Sequence, residues 1–85
     1  MRVTFSPEAE EQLADLPKSI QKKAHKQFTF LLSNYRYPSL RTRKMSGENR
    51  FEGRIDIHYR FTFLVGEEDI YILIVGSHDK GLGKK

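Results

Sequence analysis

The chain has 85 residues, no cysteine and a hydrophobic content of 38%. At this length we expect one domain, residues 1–85, with a compact core. The lack of cysteine excludes disulfides and thiolate metal sites, and the three histidines lack the spacing of a zinc site. No run approaches the ~20 apolar residues that span a bilayer. We therefore expect a soluble, cytoplasmic protein without a membrane or a metal among its partners.

The basic charge is concentrated in the middle of the chain. The net charge is +4 and the pI is about 9.5. Residues 18–60 carry eleven Lys and Arg against three acidic residues, a balance of +8, whereas residues 1–17 have a balance of −3 and residues 61–85 of −1. A basic block attracts polyanions through a field that salt screens, so nucleic acid is the partner that we favour. The alternative is a solvated basic surface.

The N-terminal half predicts one strand and two helices. Residues 3–5 are typical of a short strand, and Ser6 followed by Pro7 is a helix N-cap with proline at the first helical position. A short helix to about Leu16 should follow. Pro17 ends that helix and can begin a second one, in which apolar residues recur at spacings of three and four. These apolar residues are Ile20, Ala24, Phe28, Leu31 and Tyr35.

The C-terminal half predicts a loop followed by three strands. Residues 37–49, Y-P-S-L-R-T-R-K-M-S-G-E-N, indicate a connecting loop or an irregular edge strand. Residues 52–65 alternate apolar and polar over more than the ~5–6 residues of a typical strand, so we divide them into two strands around residues 56–58. Residues 66–69 indicate a turn, and residues 70–75 are apolar on both faces, which indicates a strand buried in mid-sheet.

This order of elements predicts an α+β domain. A short N-terminal strand and a two-helix hairpin should precede three antiparallel strands, which form one sheet with the helices on one face.

The two strands around residues 56–58 predict a face that carries arginine. A hairpin that turns about Ile57 places Arg54 opposite Arg60 and Glu52 opposite Thr62, all on one face. The core face should carry Ile55, Tyr59, Phe61 and Phe63. Two arginines opposite each other repel unless a negative group lies nearby. Glu52 can supply part of that charge and a bound phosphate the rest; the alternative is a solvated face of weak ion pairs.

Four segments of the sequence together carry a family resemblance. They are the opening F-S-P-E-A-E-E-Q-L-A-D-L-P, the P-S-L-R segment with the basic loop R-K-M-S-G, the strand Y-R-F-T-F and the terminal G-S-H-D. In this combination they resemble the RelE/ParE superfamily of toxins from bacterial and archaeal toxin–antitoxin pairs. The resemblance covers nearly the whole chain, and the order of its elements agrees with the α+β domain predicted above.

The resemblance implies an endoribonuclease that cuts messenger RNA, typically on the ribosome, without a metal or a cofactor. The 2′-hydroxyl of the RNA would attack the adjacent phosphate and leave a 2′,3′-cyclic phosphate. Such a reaction needs a base, an acid and groups that stabilise charge on the phosphorane. The resemblance also implies a cognate antitoxin protein, whose carboxylates would complement the basic block.

Carried over to this chain, the resemblance assigns catalytic roles to Arg60, Arg54, Glu52 and His78. Arg60 would clamp the phosphate, Arg54 is the basic position of the preceding strand, and Glu52 stands where some relatives have lysine and others a carboxylate base. Histidine titrates near neutrality and can act as acid or base. Which of Glu52 and His78 is the base stays open. The residues expected to bind flanking phosphates of the RNA are Arg41, Arg43, Lys44 and Arg50.

Two other functions compete with RNA cleavage. The first is that of a ParE-like protein inhibitor of DNA gyrase, and the combination of Arg60 with His78 favours the ribonuclease instead. The second is a nucleic-acid-binding regulator without chemistry. Single-strand binders expose stacking aromatics, whereas the aromatics here alternate onto the expected core face.

Many active relatives also have a tyrosine beyond the last strand, where this chain has Leu82 or Lys84.

Overall fold

The computed structural model describes residues 2–34, 40–45 and 50–77. Within these ranges the elements are β1 (Arg2–Phe5), α1 (Pro7–Ala14), α2 (Lys18–Ser33), β2 (Arg43–Lys44), β3 (Arg50–Arg54), β4 (Tyr59–Val65) and β5 (Asp69–Ser77). The strands form one sheet in the order β1-β5-β4-β3-β2. Strand β1 is parallel to β5, and the other neighbours are antiparallel.

The predicted α+β class is confirmed, with two differences in the sheet. It is mixed and not purely antiparallel, because β1 joins it in parallel with β5. We expected four strands, and the described residues form five. The additional strand is β2, which lies within the segment predicted as a loop or an irregular edge strand. Its two residues pair with β3 at the edge of the sheet, so the edge-strand alternative is correct.

Both helices begin where the sequence predicts. The Ser6 hydroxyl accepts a hydrogen bond from the backbone N–H of Ala9 at 2.9 Å and donates one to the carbonyl of Leu73 at 2.8 Å, so it caps α1 and joins it to β5. Helix α1 ends at Ala14 rather than at about Leu16. Neither described helix is long and apolar enough to cross a membrane.

The helices pack on one face of the sheet through an aromatic cluster. The ring of Phe28 lies edge-to-face at 5.4 Å from Phe5 and 5.1 Å from Phe61, a favourable geometry for aromatic pairs. Phe28 therefore joins α2 to both β1 and β4. The predicted core positions that are buried are Ala24, Phe28, Leu31, Ile55, Phe61 and Phe63, with Ile20 and Tyr59 partly buried beside them. Tyr35 lies outside the described residues.

The register between β3 and β4 is the predicted one. Arg54 pairs with Arg60, Glu52 with Thr62 and Gly53 with Phe61. A Cβ atom on Gly53 would lie 2.5 Å from Cζ of Phe61, which no ordinary packing tolerates. The ring of Phe61 thus lies directly on the backbone of β3, and the position requires glycine.

Strand β5 differs from the prediction on its outer face. It lies in mid-sheet between β1 and β4, and Ile72 and Val75 are buried under the helices. The prediction that β5 is buried on both faces was wrong, because Tyr71 on the other face is 37% exposed. The pairing jumps from Thr62 with Ile74 to Phe63 with Ile72, a bulge that shifts the alternation of β5 by one residue.

The contact between Gly53 and Phe61 gives a test of the packing. We expect Gly53→Ala to lower the free energy of unfolding by about 1–3 kcal/mol, because the new methyl group overpacks the core. Urea unfolding measures the change. Gly66→Ala is the control, since its Cβ would lie 3.2 Å from the Asp69 carbonyl in a surface turn. Equal effects of the two substitutions would contradict the packing of Phe61 on Gly53.

Candidate active site

The sheet face opposite the helices carries a cluster of arginines. In the observed register Arg54 lies opposite Arg60 on β4, and Arg43 of β2 lies opposite Glu52. These strands enclose a cavity of about 230 Å³, which we call the arginine pocket. It is lined by Arg41, Arg43, Glu52, Arg54 and Arg60. Five of the eight site residues proposed from the sequence therefore meet in one place.

Among the described residues, Arg50 and Lys44 are the proposed residues that do not line the arginine pocket. Arg50 lines a separate cavity. Lys44 pairs with Phe51, and strand alternation places it on the helix side of the sheet. His78 lies outside the described residues, as do Leu82 and Lys84. The contributions of Lys44 and His78 stay predictions.

Glu52 is the negative group of the pocket. It is only 7% exposed, and its Oε1 accepts a hydrogen bond from Nη2 of Arg43 at 3.1 Å. The Arg43 side chain is itself 72% exposed. The ion pair therefore compensates a carboxylate that is largely buried, while the arginine that compensates it stays in contact with solvent.

The two central arginines, Arg54 and Arg60, differ in their hydrogen bonds. Nη1 of Arg60 donates to the backbone carbonyl of Asp56 at 3.0 Å, so its guanidinium group turns toward the β3–β4 connection. Nε of Arg54 is buried and has no hydrogen-bond partner among the described residues. A buried donor without an acceptor is costly, and an anion in the pocket offers acceptors to this guanidinium group.

Arg41 reaches the pocket through an unusual backbone. Its φ is 50°, in the left-handed region that residues other than glycine rarely adopt. The preceding Leu40 is fully buried and anchors the chain just before this turn. Strain of this kind costs about 1–3 kcal/mol and is often found at functional sites. The turn carries the chain from a core anchor to the rim of the pocket within one residue.

The hairpin that holds the arginines is closed by Asp56. Its Oδ1 accepts hydrogen bonds from the backbone N–H groups of His58 at 2.8 Å and Tyr59 at 3.0 Å, as in an Asx turn. Its Oδ2 lies 3.5 Å from Nζ of Lys23. Burial raises the pKa of the Asp56 carboxyl, but the two backbone hydrogen bonds and Lys23 outweigh it and lower the pKa below 3.8.

Helix α2 supports the same hairpin from the other side of the sheet. Gln27 is 7% exposed, and its Nε2 donates to the carbonyl of Arg54 at 2.7 Å. With Lys23 one turn earlier, it fixes the end of β3 and the turn that follows. Neither Gln27 nor Lys23 was among the site residues predicted from the sequence. For Gln27 a signal was present, because it interrupts the apolar stripe of α2 on its core-facing side. A second signal was Asp56, the partner of Lys23, since aspartate is common at the start of a turn.

Asp56 gives a test that depends on pH. Because its pKa is lowered on folding, its charge stabilises the protein fully above the ordinary value and the contribution is lost as pH falls through the folded pKa. Asp56→Asn keeps an acceptor oxygen and removes the charge. We expect the wild-type advantage in urea unfolding to be full above about pH 5 and to shrink below about pH 4. Asp15→Asn at an exposed position is the control, and an advantage independent of pH would contradict the charged turn.

No protein-family model matches the sequence, and no curated protein matches it. Several solved structures, however, are similar to this chain in fold. A YoeB/ParE toxin from Agrobacterium tumefaciens superposes with a TM-score of 0.81 at 10% identity, over 92% of this chain and 99% of that one. A chain of the heterotetrameric YoeB-YefM toxin-antitoxin complex from Staphylococcus aureus has a TM-score of 0.77 at 22% identity, over 89% and 94%.

The isolated RelE toxin from E. coli is a third similar structure. Its TM-score is 0.72 at 18% identity, and the match covers 88% of this chain and 81% of that one. At such identities the similarity concerns the arrangement of the backbone. It confirms the arrangement of helices and strands that the resemblance implies, and the chain has the fold of these toxins.

Proposed function

We propose that this chain is the toxin of a toxin–antitoxin pair and acts in the cytoplasm as a metal-independent endoribonuclease on ribosome-bound messenger RNA. The observation that carries the proposal is the arginine pocket, in which four arginines surround one buried carboxylate on the open face of the sheet. Guanidinium groups match the geometry of phosphate oxygens and suit a developing negative charge. The toxin fold supports the same proposal.

The pocket suits attack of a 2′-hydroxyl on the neighbouring phosphate. In this step the 2′-oxygen bonds to phosphorus while the bond to the 5′-oxygen breaks, and a proton moves from the former to the latter through the protein. Arg54 and Arg60 hold the non-bridging oxygens and stabilise the charge that grows on them. The products are a 2′,3′-cyclic phosphate and a free 5′-hydroxyl.

Glu52 and His78 are the proposed proton carriers. The carboxylate of Glu52 is within the pocket and becomes available as a base when Arg43 turns from it toward a phosphate of the RNA. His78 then protonates the leaving oxygen, or the two residues exchange these roles. A pH profile of the wild type and of each variant distinguishes the two assignments.

The proposed protein partner is a cognate antitoxin. The similar fold from S. aureus was solved as a toxin-antitoxin complex with YefM. An acidic segment of such a partner would complement the pocket, where four arginines meet a single carboxylate. Covering this pocket would be enough to keep RNA out.

Substitutions in the pocket test the chemistry. We expect Arg54→Ala and Arg60→Ala to slow messenger cleavage by about 10²–10³-fold each, because each removes a group that stabilises the phosphorane. Glu52→Gln should slow it by about 10²–10⁴-fold if the carboxylate is the base. Primer extension after cell-free translation measures the cuts. Lys22→Ala, which removes one positive charge from an exposed position on α2, is the control.

Two outcomes would contradict the proposed ribonuclease. If both arginine variants still cut messenger RNA, the arginine pocket is not the catalytic site. Arrested supercoiling by DNA gyrase in a parallel assay, without messenger cleavage, would favour the ParE-like inhibitor.

Salt dependence tests phosphate binding separately from catalysis. For a single strand the logarithm of the binding constant falls with the logarithm of salt by about 0.7 per phosphate contact. We expect Arg54→Ala to weaken binding of a non-cleavable RNA and to lower this slope by about one contact. Lys22→Ala should leave the slope unchanged. Equal slopes for wild type and Arg54→Ala would contradict a phosphate at Arg54.

A further inference from the structure

The open face of the sheet continues beyond the arginine pocket. Along β3 and β4 the row of Arg54 and Arg60 is followed by the row of Glu52 and Thr62, and then by Arg50 and Leu64. The last row extends to Tyr71 on β5, which pairs with Leu64. Strand alternation places these rows on the same face. Four residues along β4 separate Arg60 from Leu64, which is about 13 Å of strand.

A second cavity lies at this end of the open face. Its volume is about 480 Å³, and its lining includes Arg50, Glu8, Tyr71, Leu73 and Ile74. We call it the tyrosine groove. Tyr71 is a large exposed aromatic residue at 37% exposure. Its neighbours Ile70 and Ile72 are buried, so strand alternation turns Tyr71 outward. The bulge that follows lets Ile74 face the same way while Val75 stays in the core.

The chemistry of the tyrosine groove differs from that of the arginine pocket. Its lining has one arginine and one carboxylate, together with an aromatic ring, two aliphatic side chains, Ser6 and Pro7. Glu8 would repel a phosphate. A nucleobase fits these groups better, because its flat face stacks on an aromatic ring and its edge presents both donors and acceptors. Arg50 and Glu8 supply the complementary polar groups.

We propose that the tyrosine groove binds a nucleobase that flanks the scissile phosphate, with Tyr71 as its stacking partner. The inference rests on the proposed function, because the strand of RNA must run from the arginine pocket across the same face. It assigns to this chain an exposed base-stacking residue, which our sequence analysis did not find because it placed the aromatics of these strands in the core.

The sequence offers a direct probe, since it contains no tryptophan. Tyr71→Trp places the one tryptophan of the chain in the groove, and its emission can be excited apart from that of the remaining tyrosines. We expect its emission to be quenched on titration with a short single-stranded RNA made non-cleavable by 2′-O-methyl groups. The same oligonucleotide with abasic residues at the flanking positions keeps the phosphates and should cause no quenching.

Two variants without a new fluorophore complete the test. Tyr71→Leu keeps an apolar side chain but has no flat ring, and we expect it to weaken binding of the complete oligonucleotide by about 5- to 100-fold and to leave the abasic one unaffected. Tyr71→Phe keeps the ring and should bind like the wild type. Urea unfolding of each variant verifies that the sheet is intact.

The results separate this inference from the proposed function. Quenching that is equal with abasic RNA, or unchanged affinity in Tyr71→Leu, would overturn the base site even if the wild type cuts messenger RNA. Base-dependent quenching without any cleavage would leave the base site in place and overturn the ribonuclease. If Tyr71→Leu instead loses a co-purifying protein partner and binds both oligonucleotides normally, the groove is a protein contact and the proposal is wrong.

Discussion

The pairing register of β3 with β4 is the constraint on which the rest of the structure depends. Side chains alternate along a strand, so a slip of β4 by one residue against β3 would move Phe61 and Phe63 into solvent and bring Arg60 into the core. The core and the arginine pocket are therefore two sides of one pairing. Gly53 makes it specific, because only a residue without Cβ accepts the Phe61 ring at that position.

The positions of the charged groups in the arginine pocket depend on this pairing and on the contacts from α2 that support it. Opposed arginines would strain a bare hairpin, yet here Arg60 is held by the Asp56 carbonyl, and Gln27 and Lys23 of α2 hold the turn and the end of β3. The Arg60 side chain and the backbone that carries Arg54 are thus positioned before any anion arrives. Preorganised groups of this kind need no reorganisation as charge develops on a substrate, which is what phosphoryl chemistry demands.

The bulge in β5 has an equivalent role for the remainder of the open face. An uninterrupted strand of Ile70 to Val75 would bury alternate residues and leave the others in one continuous row. The extra residue lets Ile72 and Val75 both reach the helices, while Tyr71 stays outside. The bulge lets Ile74 join Tyr71 in the lining of the tyrosine groove, and bulges are common next to functional sites.

The sequence by itself determined both helices, four of the five strands of the described residues, the β3–β4 register and the grouping of Glu52, Arg54 and Arg60, because capping, periodicity and alternation act between residues close in the chain. Only the tertiary structure decided that Arg43 covers Glu52, that Gln27 supports Arg54 and that Tyr71 faces outward. Those outcomes depend on which distant strands become neighbours and which face the helices cover. Local pattern carries no information on either, since solvent exposure is settled by long-range packing.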